Sequence, residues 1–156
     1  MNRNGHIGLT LLITSAILYF FNLKDSTSLL TALFIVILST LPDVDLKWEI
    51  PHRRYTHNIS AGLVAGVCFG FITMYAGIGF IPGFIGGLGG VLCHLLGDLL
   101  TYMPFNPLWP FYSLEVSLRL FKSSSKTVNN LFLAAGFTVF TYYLTTIYYG
   151  IEVSIP

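Results

Sequence analysis

Charged side chains are scarce in this sequence. Its 156 residues include 8 Lys and Arg and 7 Asp and Glu, so that only 10% of the chain is charged. Soluble domains carry about 25% charged residues, which excludes a domain whose whole surface faces water. The formal net charge of +1 also excludes nucleic acid binding through bulk charge, and no nucleic acid partner is expected. The composition therefore predicts an integral membrane protein.

Cysteine is scarce as well. The two cysteines, Cys68 and Cys93, both lie in apolar stretches, so they predict neither a disulfide framework nor an oxidising compartment. A cleaved signal peptide is not expected either, because the first apolar run continues to Leu23 with no small-residue cleavage site after it. We expect this first segment to remain as a span.

Apolar residues are abundant: they make up 54% of the chain, and the mean hydropathy is +0.71. Because a span needs about 20 mainly apolar residues, the pattern predicts an all-α membrane helix bundle, a single transmembrane domain over residues 1–156. The expected spans are 7–23, 29–42, 59–80, 83–103 and 128–151. Asp25 or Ser26 is the expected N-cap of the second span, and Pro104, Pro107 and Pro110 interrupt the chain after the fourth.

Two further features concern packing and the membrane surface. Glycines recur every four residues in the third and fourth spans, which indicates close helix contact; they are Gly62, Gly66, Gly70, Gly86 and Gly90. Residues 111–122 are predicted to form an interfacial helix lying on the membrane.

The Lys and Arg residues are unevenly distributed. With the N-terminus inside, seven of the eight lie in inner segments and only Lys24 lies outside. The positive-inside rule thus predicts a multi-pass protein with a cytoplasmic N-terminus. Arg119, Lys122 and Lys126 are expected either to contact anionic lipid or to form an ordinary positive-inside tail.

All four histidines and four of the seven acids lie at the predicted cytoplasmic ends. His94 and Asp98 are four residues apart on one helical face, a spacing that suits two ligands of one metal. Ionisable groups in a span cost about 2.5–3.5 kcal/mol and are usually functional or paired. Asp43 and Asp45 follow Pro42, and such a carboxylate pair suits a divalent metal. A simple His94–Asp98 pair and a solvated Asp43/Asp45 loop remain the structural alternatives.

A third segment precedes the third span. His52 and His57 flank Arg53, an arrangement that suits two ligands and an anion clamp; the alternative is a positive-inside loop with incidental histidines. His6 alone is more typical of an interfacial residue. Together, the candidate metal ligands are His6, Asp43, Asp45, His52, His57, His94 and Asp98. A catalytic zinc takes about three protein ligands, so the set suffices for two metals.

The ordered motifs resemble the YdjM family of inner-membrane proteins. The matching residues, which extend to about Pro110, are His6; Leu41, Pro42, Asp43 and Asp45; His52, Arg53, Thr56 and His57; and His94 and Asp98. The resemblance implies a metal-dependent hydrolase located in the inner membrane. His94-Leu95-Leu96-Gly97-Asp98 is also similar to the H-x-L-G-D segment of the zinc-dependent phospholipase C and single-strand nuclease superfamily. That similarity implies phosphoester hydrolysis, with Asp98 bridging two zinc ions.

Residues and resemblance together predict a hydrolase embedded in the membrane. Its expected substrate is a phosphoester or ester of a lipid or amphiphile at the cytoplasmic interface. One or two zinc ions are expected, with manganese or magnesium as alternatives. The expected core ligands are Asp45, His57, His94 and Asp98, while Asp43, His52 and His6 complete a second site or supply the general base. Arg53 is expected to stabilise negative charge on the substrate, and Thr56 to hydrogen-bond a ligand.

Two other functions fit the same residues. Intramembrane His and Asp also build ion pathways, so a divalent-metal or proton-coupled transport protein is the alternative. Residues 83–92 contain no ionisable side chain, however, which favours a one-sided site over a path. A metal that only joins the helices is the third interpretation. The sequence leaves the oligomeric state open.

Overall fold

The computed structural model describes residues 1–46, 53 and 55–151. They form five α-helices: α1 (Arg3–Phe20), α2 (Ser26–Leu38), α3 (Ile59–Tyr75), α4 (Phe80–Leu99) and α5 (Lys126–Tyr142). A 3₁₀ turn, Pro42–Leu46, follows α2, and α5 continues as a π-helical segment, Tyr143–Tyr148. Within these described residues no β-strand forms, only two isolated bridges. The all-α fold class is confirmed.

Side-chain caps begin three of the helices. Asn2, Asp25 and Asn58 each accept a hydrogen bond from the backbone N–H three residues later, at 3.0, 2.8 and 2.8 Å. These bonds satisfy amides that have no partner inside the helix. Asp25 is thus the N-cap of α2, one of the two residues predicted for it.

The helices match the predicted spans in order but differ at their ends. The third span was predicted to reach residue 80, but α3 ends at Tyr75, because Gly77 and Gly79 turn the chain with φ of 77° and 106°. Three helical segments are long and apolar enough to cross a membrane: Ser26–Asp45, Phe80–Leu99 and Lys126–Tyr148. Helix α3 is apolar but shorter. Five crossings therefore remain a prediction.

Glycines of α4 allow its neighbours to approach closely. A Cβ on Gly87 would lie 2.7 Å from the carbonyl oxygen of Ala65 in α3. A Cβ on Gly90 would lie 2.8 Å from the carbonyl carbon of Leu38 in α2. Both distances are too short for a side chain, so α4 packs between α2 and α3 with direct backbone contact.

The predicted interfacial helix is wrong. Residues 111–122 contain no helix, and part of this stretch is extended and pairs with the end of α4. Leu118 and Leu120 donate their backbone N–H groups to the carbonyls of Leu99 and Leu100, at 2.7 and 3.0 Å. Carbonyls at the end of a helix have no partner inside it, and the extended segment supplies that partner.

The N-terminus of α1 is tied to α5 by a buried amide. Asn129 accepts a hydrogen bond from the backbone N–H of Asn2 at 3.1 Å and donates to the carbonyls of Ser123 and Ser125, at 2.9 and 2.6 Å. This contact places the start of α1 beside the start of α5, and the Met1 amino group donates to Asp98 at the end of α4. The end of α2 and the start of α3 lie at the same end of the bundle.

Candidate metal centre

Four electron-pair donors from three segments of the chain, the 3₁₀ turn, the residues before α3 and the last turns of α4, meet at this end of the bundle. They are Asp43 Oδ1, His57 Nε2, His94 Nε2 and Asp98 Oδ2. The two imidazole nitrogens are 3.1 Å apart. Asp43 Oδ1 lies 3.6 Å from His57 and 3.5 Å from His94, and Asp98 Oδ2 lies 3.5 and 3.6 Å from the same two nitrogens.

Each of the five separations is close to the spacing of two ligand atoms on one tetrahedral ion. Ligand atoms bound at about 2.1 Å around a tetrahedral zinc lie about 3.4 Å from one another. The five distances measured within the cluster, 3.1–3.6 Å, scatter around that value. Two imidazoles and two carboxylates are also ligands that zinc accepts. The donor set and its dimensions therefore suit a divalent metal.

Hydrogen bonds hold both imidazoles with Nε2 turned inward. His94 Nδ1 lies 2.7 Å from the carbonyl oxygen of Ser39, and because a carbonyl only accepts, the proton of His94 is on Nδ1. His57 Nδ1 lies 2.8 Å from Thr56 Oγ1 and 3.3 Å from Asp45 Oδ2. Burial lowers the pKa of the His57 imidazole below its usual value and favours the neutral ring. Neutral rings protonated at Nδ1 present a lone pair at Nε2.

Asp45 lies behind His57 rather than among the converging atoms. Its Oδ2 accepts hydrogen bonds from Thr56 Oγ1 at 2.7 Å and from the backbone N–H of Arg53 at 3.2 Å. A carboxylate at the far nitrogen of a ligating histidine orients the ring and raises its basicity. The structure thus places Asp45, predicted as a ligand, where it acts on His57.

A second group of candidate metal ligands shares His94 and Asp98 with the first group of four. One ligand atom from each of His6, His94 and Asp98 lies within 4.8 Å of the others. The His6 ring stacks on His94 with centroids 3.7 Å apart, and Gly97 makes room, since a Cβ there would lie 2.8 Å from His6 Nδ1. Neither ring nitrogen of His6 has a hydrogen-bond partner among the described residues. Buried polar atoms of this kind are candidates for metal binding.

Asp98 belongs to both groups of candidate ligands and also contacts two cations. Its Oδ1 accepts from Arg53 Nη2 at 2.7 Å and from the amino group of Met1, while its Oδ2 faces His57 and His94. The two cations offset the cost of burying this carboxylate. The bridging of two metals by Asp98 stays a prediction.

Arg53 is buried and occupied by protein acceptors. Besides Asp98, its guanidinium contacts Thr101 Oγ1 at 3.3 Å and the carbonyl of Met103. Only 7% of the residue is exposed. The positive charge of Arg53 therefore lies against the Asp98 carboxylate. The contact of Arg53 with a substrate stays a prediction. His52 and Arg54 lie outside the described residues.

Sequence reasoning missed several partners. The Ser39 carbonyl and the Met1 amino group carry no sequence signal, because every residue has a backbone and the position of the chain end depends on packing. Asn129 did have a signal, being an amide at the start of an apolar span. The structure shows that it anchors the segment bearing His6.

Comparison with known proteins adds the family. A sequence model described as YdjM inner membrane protein matches residues 1–155. The chain belongs to the YdjM inner membrane protein family. The match extends well beyond Pro110, where the sequence motifs end, and it confirms the predicted family. YdjM membership places the chain in a family of inner-membrane proteins. No curated protein and no solved structure matches the chain.

Proposed function

We propose that this YdjM family member is a membrane-embedded, metal-dependent hydrolase. It cleaves a phosphoester or an ester of a lipid or another amphiphile at the cytoplasmic interface. The supporting observation is the convergence of two imidazole nitrogens and two carboxylate oxygens at metal-ligand spacing. The inner-membrane family supports a substrate that is available at a membrane surface.

The four converging residues would hold the metal. Asp43, His57, His94 and Asp98 suit zinc, with manganese or magnesium as alternatives, and His6 would serve a second ion together with Asp98. When bound, a divalent ion supplies the Lewis acidity that lowers the pKa of water to about 7. His52 stays a candidate ligand or base.

The chain's own residues prepare the centre. Ser39 and Asp45 hold the two ring protons on Nδ1, and Arg53 balances the charge of Asp98. The Asp43 side chain is 23% exposed, whereas that of Asp98 is 2% exposed and the histidines are buried. Water and substrate would therefore reach the centre past Asp43. Its contacts with the histidines use Oδ1, which leaves Oδ2 to accept a proton from the attacking water.

Three exposed basic residues would hold the site against the membrane that supplies the substrate. Arg119, Lys122 and Lys126 are exposed at the end of the bundle that bears the cluster. Each would contribute about 1 kcal/mol of attraction to an anionic lipid surface. A cytoplasmic orientation puts this end in contact with anionic headgroups.

The first prediction concerns metal content. We expect detergent-purified protein to carry near-stoichiometric zinc without added metal, and Asp98→Asn and Asp43→Asn each to lower it at least tenfold, because each removes a charged ligand. Elemental analysis measures the metal, and phosphoester and carboxylic ester substrates then measure turnover. Glu115→Gln, an exposed carboxylate outside the cluster, is the matched control.

Two variants keep this test decisive. Asp98→Asn leaves Arg53 facing an amide and can impair folding, whereas Asp43 is partly exposed and its replacement breaks no buried ion pair. Folded protein without any bound or restorable divalent metal would refute the proposal. Uptake of metal into vesicles without ester cleavage would instead support transport. Unfolding on metal removal in a protein that cleaves no ester would indicate a purely structural metal.

A further inference from the structure

A cavity opens beside the metal centre. It has a volume of about 310 Å³ and lies between the start of α1 and the end of α2. Its polar lining includes Arg3, Thr40 and Asp43, and its apolar lining includes Ile37, Leu41 and Val44. Asp43 belongs both to this cavity and to the converging cluster. The cavity thus connects the centre to the outside at the carboxylate that is itself partly exposed.

Arg3 is the cationic side chain in this cavity. Unlike Arg53, it is exposed and has no hydrogen bond or ion pair with the part of the chain that the structure describes. A guanidinium has five N–H donors in a planar fork that matches two oxygens of a phosphate. An unpaired guanidinium beside a centre rich in carboxylates is suited to attract an anion that the carboxylates alone would repel.

We propose that Arg3 is the anion-binding residue of the centre and that the substrate is a phosphoester. The inference rests on the proposed hydrolase function and selects one of its two substrate classes. A neutral carboxylic ester would need no cation to approach Asp43, whereas a phosphate group would meet repulsion there unless a positive charge shared the cavity. Arg3 supplies that charge without losing a protein partner.

The apolar side of the cavity defines the rest of the substrate. Ile37, Leu41 and Val44 face the same space as Arg3, and Ile37 is 65% exposed. Apolar side chains beside a cationic headgroup site fit an amphiphile whose chain continues into the membrane. A phosphate could also belong to a soluble phosphoester that uses only the polar part.

The second prediction tests Arg3 by binding rather than by turnover. Calorimetry of inorganic phosphate with metal-containing, detergent-purified protein should show a dissociation constant about 10- to 100-fold higher for Arg3→Gln than for the unmodified chain, because a hydrogen-bonded charge is lost. Arg3→Lys should fall between them, since an ammonium keeps the charge but not the fork. Lys24→Gln, in the loop between α1 and α2, should bind as the unmodified chain does.

Metal content separates this inference from the proposed function. Each Arg3 variant should retain the metal, because no hydrogen bond or ion pair joins Arg3 to the described members of the cluster. Equal phosphate binding by the Arg3→Gln variant with its metal intact, or no phosphate binding by the metal-containing unmodified chain, would overturn the inference. A chain that holds metal and binds phosphate through Arg3, but cleaves no ester, would refute the hydrolase instead.

Competition distinguishes the two sources of phosphate. Phosphatidic acid in mixed micelles should displace inorganic phosphate at lower concentration than p-nitrophenyl phosphate does, as the apolar lining predicts. If the Ile37→Ser variant no longer bound phosphatidic acid more tightly than the soluble ester, an amphiphilic substrate would be supported. Displacement by the soluble ester alone would overturn the lipid part.

Discussion

Asp43 and Asp45 show how two similar residues take different positions. They are two residues apart in a 3₁₀ turn, where each residue advances about 120° around the axis. Their side chains therefore point in different directions, and only Asp43 faces both Nε2 atoms. The motif predicted that carboxylates would reach the centre. It did not predict which would face it, because direction depends on the backbone turn.

The third prediction follows from the contact between Asp45 and His57. Asp45→Asn should lower zinc affinity about 10- to 100-fold, because loss of a carboxylate behind a ligating histidine weakens orientation and basicity. Chelator competition measures the affinity, and Glu115→Gln is again the control. If zinc affinity were unchanged, Asp45 would not act through His57.

Arg53 and Arg3 show that two arginines of one chain can differ in whether their guanidinium groups are paired within the protein. Arg53 follows His52 in a motif that suits anion binding, yet its guanidinium is held by Asp98, Thr101 and Met103. Arg3 has no motif around it and was counted only for orientation. Which arginine is available to a ligand depends on contacts between residues about 45 positions apart, and no local pattern encodes them.

At the scale of elements, residues 111–122 have a sequence periodicity that indicates extended chain rather than helix. The apolar positions Leu114, Val116, Leu118 and Leu120 alternate with other residues, a period of two that is typical of extended chain. The prediction of an interfacial helix did not take this alternation into account. Val116 exchanges two hydrogen bonds with Phe105, at 2.9 and 3.3 Å.

The glycine contacts of α4 lead to the fourth prediction. Gly87→Ala should destabilise the fold by about 1–3 kcal/mol, because the new methyl group would overlap the α3 backbone at Ala65. Gly89→Ala is the matched control on the same helix, since its methyl would meet only the side chain of Ile35, at 3.1 Å. Thermal unfolding in detergent measures both. Equal stability of the two variants would contradict backbone contact at Gly87.

The orientation of the whole molecule is the fifth prediction. Lys24 lies in the loop between α1 and α2, and Glu115 lies near the end of α4; both are exposed. In a Cys68→Ser background, an impermeant maleimide should label Lys24→Cys in cells whose inner membrane is intact. It should label Glu115→Cys only after that membrane is permeabilised, because the positive-inside rule puts this end in the cytoplasm. The reverse pattern would invert the topology.

The sequence by itself determined the membrane class, the all-α fold and the family, because hydropathy, spacing and motif order are local properties. It also predicted that His6, Asp43, His57, His94 and Asp98 belong to one site, since their spans place them at one depth. Only the tertiary structure decided which donor atoms converge, which carboxylate supports a histidine and which arginine is free. Those outcomes depend on side-chain directions set by turns and by helix packing, which bring together residues far apart in the chain.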